Sequence, residues 1–158
     1  MNAISRMRVF ALALIGALFA GSVAANATVI LYVASSGAAQ TASQSFVAMQ
    51  NLTLTLPAAV GSQTAALVML DVPNPYSVGT NYPGAYFGIS VNGGGVLTTV
   101  ACFTTDLASP ATTGRHPTTL IVRIPLTSAP QQITVMWEGV RGSTVKVDTP
   151  NTLSAILE

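Results

Sequence analysis

From Thr28 onward, apolar and polar residues alternate in short runs broken by Pro, Gly and Asn. In "NLTLTLP", Leu52, Leu54 and Leu56 point one way and Thr53 and Thr55 the other, the two-residue period of a half-buried strand. "STVKVD" repeats that pattern, and in "TTLIVRIPL" Leu120, Val122, Ile124 and Leu126 share one face while Arg123 lies on the other. The same reading makes strands of "TVILYVA", "SFVAMQNLTLTLP", "TAALVMLDVP", "AYFGISVNG", "GVLTTVACFTT", "QQITVMWEGV" and "STVKVDTPNTLSAIL". "VNGGGV" holds the Asn-Gly and Gly-Gly pairs of a tight hairpin. A single helical turn is expected in "TASQSFVAM"; no long helical period occurs after residue 27. About eight short strands at regular spacing predict an all-β, antiparallel jelly-roll sandwich.

The first 27 residues read differently. Arg6 and Arg8 precede an apolar run from Val9 to Ala20, and small residues end at Ala25-Asn26-Ala27. A basic head, a short apolar core and a small-residue cleavage site describe a secretory signal peptide; Val23-Ala24-Ala25 is a second candidate cut. The apolar run is well short of the ~20 residues a membrane span needs. The expectation is a signal peptide over residues 1–27, a jelly-roll domain over 28–158, an exported protein (secreted or periplasmic), and no membrane span after cleavage.

Charge narrows the partners. Past residue 27 four basic residues remain (Arg115, Arg123, Arg141, Lys146) against five acids (Asp71, Asp106, Glu138, Asp148, Glu158), a net charge near −1. That offers no basic surface to neutralise phosphates, so no nucleic-acid partner is expected. So few charges are also unusual for the surface of a soluble monomer. Another copy of the chain is the simplest cover, and an oligomer is expected.

Most catalytic chemistry lacks its residues. The chain has one His, His116, and no G-x-S-x-G elbow; its acids are scattered, with no clustered ligands for zinc or calcium. His116 reads as a loop residue. Cys102 is the lone cysteine and forms no intrachain disulfide; between Ala101 and Phe103 it reads as a buried, inert thiol. No enzyme, metal or cofactor is expected.

Polar and aromatic groups gather in three turn-rich stretches: "DVPNPYSVGTNYPGAYFG", "CFTTDLASPATTGRHP" and "WEGVRGSTVKVDTP". They supply Tyr76, Tyr82 and Tyr86, then Thr104, Thr105, Thr112, Thr113 and Arg115, then Arg141 and Ser143. Such a mixture suits a neutral sugar: guanidinium and hydroxyl groups bond its hydroxyls, and tyrosine rings cover its C–H face. A second reading stands beside it, with strand-end tyrosines and arginines paired to Asp71, Asp106 or Asp148.

The three motifs P-x-P-Y…P-G-x-Y-F, C-F-T…T-G-R-x-P and V-R-G-S…L-S-A-I occur here in that order, from about Val68 to Leu157. In that order they resemble the TNF-like, fucose-binding N-terminal lectin domain of the Burkholderia superlectin. The resemblance implies a homotrimer of TNF-like jelly rolls with sugar bound between subunits, without metal. One wall would be Tyr76, Thr112, Thr113 and Arg115; the neighbour would supply Tyr86, Thr104, Thr105 and Arg141. It implies a lectin for fucosylated or related glycans; a structural or adhesive subunit that keeps the trimer but not the sugar is the alternative. The chain departs in three ways: Thr105 stands for a tyrosine, Thr112 for a serine, and Val100 and Ala101 stand where an acid precedes C-F-T.

Overall fold

A computed structural model describes residues 28–106 and 111–158; the signal-peptide expectation falls on residues 1–27, outside them. The described residues form twelve strands and no helix: β1 (Ile30–Ala34), β2 (Ala39–Thr41), β3 (Val47–Leu56), β4 (Ala65–Val72), β5 (Tyr76–Gly79), β6 (Gly84–Val91), β7 (Ala101–Thr104), β8 (Ala111–Thr112), β9 (Thr118–Pro125), β10 (Gln131–Val140), β11 (Thr144–Val147) and β12 (Thr152–Leu157). Three antiparallel sheets run in the orders β1-β12-β4-β9, β3-β10-β6-β7 and β2-β11-β5-β8. Strands distant in sequence pair in every sheet, and the first two sheets sandwich one core. The jelly-roll expectation holds.

Alternation explains the core. Leu52, Leu54 and Leu56 of β3 are buried with Ile133, Val135 and Trp137 of β10 and Phe87 and Ile89 of β6. Against them lie Val68, Leu70 and Val72 of β4, Leu153 of β12 and Leu120 and Ile124 of β9. Burying each such large side chain contributes about 1.5–3 kcal/mol relative to leaving it in water. The β3–β10 register shifts between Thr134 and Met136. There Asn51 takes φ 61°, so Gln50 and Asn51 are both exposed while Met49 still turns inward.

Four expectations need correction. "GVLTTVACFTT" is not one strand: only Ala101–Thr104 pair, as β7. Upstream, the Asn92-Gly93 turn (φ 53° and 68°) closes the expected hairpin, and Val96 then bridges Ser90 and folds over Gly88. A Cβ on Gly88 would sit 2.3 Å from Val96 Cγ1, so glycine makes that crossing possible. "STVKVDTPNTLSAIL" breaks into β11 and β12 around Pro150, which has no N–H for a ladder. The helical turn in "TASQSFVAM" is a side-chain-bonded bend, with Ser43 Oγ donating to Ser45 O at 2.6 Å, and the chain is extended from Val47. Cys102 is exposed, because Ala101 and Phe103 turn inward and the alternation faces Cys102 out.

Candidate functional site

Arg115 lies in the loop between β8 and β9, and backbone bonds on either side hold that loop to β5 and to Pro75 just before it. Thr113 N–H donates to Ser77 O at 2.9 Å and His116 N–H to Pro75 O at 3.0 Å. Thr113 Oγ1 in turn accepts from Ser77 N–H at 2.8 Å. Tyr76 lies between those anchors, and the Arg115 guanidinium stands 4.7 Å from its ring centroid. Arg115 also pairs with Asp148 and donates to Asn74 O at 3.3 Å, while Tyr76 Oη donates to the other Asp148 oxygen at 3.4 Å. Tyr76, Thr113 and Arg115 therefore stand together with Thr112, which is exposed at the β5 edge opposite Val78. Thr113 is buried, its hydroxyl engaged as a clamp. Asp148 is the member that motif spacing did not single out, except as one of three acids an arginine might meet.

Arg141 sits elsewhere, at the β10–β11 turn. Arg141 and Gly142 both take positive φ (53° and 78°), and Ser143 N–H closes the turn on Val140 O at 3.0 Å. Positive φ at both central residues makes this a primed turn, where asparagine or glycine is usual at the first position, and it carries the chain from β10 in one sheet to β11 in another. Ser143, fully buried, pins it: its Oγ accepts from Val140 N–H at 3.0 Å and lies 2.7 Å from Gly84 O. Arg141 Nη1 reaches Tyr82 O at 3.3 Å and Thr104 Oγ1 at 3.4 Å, with its guanidinium 5.6 Å from the Tyr82 ring centroid. Thr105 N–H donates to Pro83 O at 3.0 Å, which puts Thr105 beside the same cluster. Tyr86, half-buried, lines a cavity of about 220 Å³ with Cys102, Phe103, Thr104, Val140 and Arg141.

Tyr82 is the aromatic that sequence reasoning left out of the site. It is exposed and carries φ 47°, an uncommon backbone for a bulky residue. Its signal was present in the tyrosine-rich stretch; nothing in the spacing said which tyrosine meets Arg141.

The eight candidates thus fall into two groups, each with an arginine on a tyrosine ring. Within one chain they use different partners, and the cavity beside Tyr76 shares no lining residue with that beside Tyr86. A ring stack joins their supports: His116 lies on Phe103 with centroids 5.0 Å apart. His116 is an exposed loop residue, as expected. Among the described residues no three His, Cys, Asp or Glu gather as metal ligands, and no helix is long and apolar enough to cross a membrane.

The family model described as "Bc2l-C, N-terminal domain" matches residues 36–156. No curated protein sequence matches the chain. Among solved structures, Eiger TNF from S. frugiperda is similar at 8% identity and TM-score 0.47, covering 82% of this chain and 92% of that one. Dimeric latent PorU from Porphyromonas gingivalis is similar at 12% identity and TM-score 0.45, covering 82% of this chain and 12% of that one. The CBM36-1 domain of a multidomain xylanase from the hindgut metagenome of Trinervitermes trinervoides is similar at 12% identity and TM-score 0.39, covering 80% and 96%. The chain belongs to the Bc2l-C N-terminal domain family, a family of lectin-type carbohydrate-binding domains and not of enzymes.

Proposed function

We propose that this member of the family is an exported, metal-independent lectin for fucosylated or related glycans, binding each sugar between two subunits of a homotrimer. One observation supports the reading: two separate arginine–tyrosine clusters, each of which would make half a site. The cavity at Tyr86 and Arg141, about 220 Å³, is smaller than the ~300 Å³ at which ligand pockets usually begin. Closing it with the Tyr76–Arg115 wall of a neighbour would complete a sugar-sized site. Arg115 and Arg141 would then fork onto adjacent sugar hydroxyls while the tyrosines cover the C–H face. Three such sites on one trimer bind a glycan-coated surface by avidity.

The test is a calorimetric titration of residues 28–158 with methyl α-L-fucoside, with mass measured on the same sample. One sugar per chain in a trimer is the expected result. Arg115→Ala or Arg141→Ala is expected to weaken binding at least tenfold, the loss of about 1.5–3 kcal/mol for a charge-assisted hydrogen bond, with the trimer intact. Unchanged affinity in both variants would refute this site. A structural or adhesive subunit is the second reading. It is favoured by the bonds the arginines already make within the chain, Arg115 to Asp148 and Arg141 to Tyr82 O. A stable trimer giving no heat with any fucosylated glycan would establish it.

A further inference from the structure

A groove beside the proposed site has no role in that site as described. It measures about 330 Å³, and Ala38, Gln40, Tyr76, Lys146 and Asp148 line it. That volume lies at the small end of ligand pockets and suits one sugar ring. Strand pairing builds its floor: Lys146 of β11 stands opposite Gln40 of β2 on one side and Tyr76 of β5 on the other. The three side chains thus form one row across the sheet, and Asp148 follows two residues beyond Lys146 on the same side.

Charge separates a neutral occupant from an acidic one. Asp148 is already committed to the Arg115 guanidinium and the Tyr76 hydroxyl, so that pair adds no net charge. Lys146, the only lysine of the chain, makes no ion pair with any described residue. It is half-buried, with the exposed amide of Gln40 beside it. The groove therefore presents one uncompensated ammonium, an amide and a tyrosine side chain.

We infer that this groove is a second saccharide subsite, contiguous with the Tyr76 wall, that takes a sugar bearing a carboxylate or sulfate. The inference rests on the lectin reading, because Tyr76 is shared between the two. Lys146 supplies the counter-charge, the Gln40 amide donates to a ring or sulfate oxygen, and Asp148 holds Tyr76 and Arg115 in place between the two sugars.

The test compares the Lewis a trisaccharide with 3′-sulfo-Lewis a by calorimetry at low and at physiological salt, on native protein and on Lys146→Gln. Native protein is expected to prefer the sulfated glycan about fivefold, the size of one partly screened charge pair. That preference should shrink with salt and vanish in Lys146→Gln. Equal binding of the two glycans by native protein, binding of neither, or a preference that survives Lys146→Gln would each overturn the inference. Methyl α-L-fucoside on the same samples separates the two readings. Heat from the fucoside with equal trisaccharides sinks the groove and leaves the lectin site. No heat from the fucoside, with Lys146-dependent binding of the sulfated glycan, sinks the fucose reading and leaves the groove.

Discussion

Arg141 occupies a backbone position that an arginine fills at a cost. A side chain with a Cβ loses roughly 1–2 kcal/mol in the left-handed region, and asparagine, which bonds locally, loses less. Arg141 (φ 53°) also bonds the carbonyl of Tyr82, itself at φ 47°, so two strained residues hold one another. Strain of this kind collects at functional sites. Arg141→Asn is therefore expected to stabilise the fold by about 0.5–1 kcal/mol, by the same left-handed penalty, while abolishing sugar binding. Denaturant melts and titration of one sample check both halves; lost stability would remove the strain argument. Glu138 offers a second residue-scale test. Burial raises its carboxyl above the ordinary value of 4.5. The folded chain then holds that proton more tightly than the unfolded chain, so the contribution of Glu138 to stability falls as pH rises from the ordinary value through the raised one. Glu138→Gln should accordingly raise Tm more at pH 7 than at pH 4. An equal change at both would contradict the burial of that charge.

Along whole strands, the two-residue period was legible where one face is buried and the ladder unbroken. β9 matches its sequence pattern residue by residue, and so do Leu52 to Leu56 of β3. What the period did not reveal depends on contacts distant in sequence. The Gln50–Asn51 bulge is set by pairing with β10, and the fold of Val96 over Gly88 by a close approach across β6. β5 and β8 are too short to carry a pattern, and their pairing rests on the Thr113–Ser77 bonds. The candidate site was legible as residue types in three stretches. Its arrangement was not, because whether Arg141 meets Tyr82 or Tyr86 depends on how the β10–β11 turn leans on β6. Gly139 controls that lean. A Cβ there would stand 2.1 Å from the backbone oxygen of Ser143, which no side-chain rotation relieves. Gly139→Ala is expected to destabilise by about 2–3 kcal/mol, as overpacking does, and to weaken sugar binding by displacing Arg141. An undisturbed Tm would show that the turn is looser than this contact requires.

At the scale of the molecule, the shortage of charge has a location. The outward face of the β1-β12-β4-β9 sheet carries Ile30, Tyr32, Ile156, Leu67, Met69 and Ile121, with Ile30 and Tyr32 66% and 65% exposed. Register makes these one patch: Ile30 pairs with Ile156 and Ile156 with Leu67, while Met69 pairs with Ile121 in the next row. A contiguous apolar sheet face of this kind marks an association surface. Arg123, opposite Leu67, is drawn to the rim by its bond to Glu158 at 2.5 Å, and the half-buried Ser154, between Tyr32 and Met69, is the polar residue inside the patch. If this face closes the proposed homotrimer, a charge at its centre should break the assembly without touching either arginine cluster. Met69→Lys, whose side chain replaces one already 40% exposed, is expected to fold with a near-native melt and to run as a monomer by light scattering. Because each cluster is only half of the proposed site, that folded monomer should give no heat with methyl α-L-fucoside. A Met69→Lys trimer would move the interface to another face, and a monomer that still binds sugar would place the complete site within one chain.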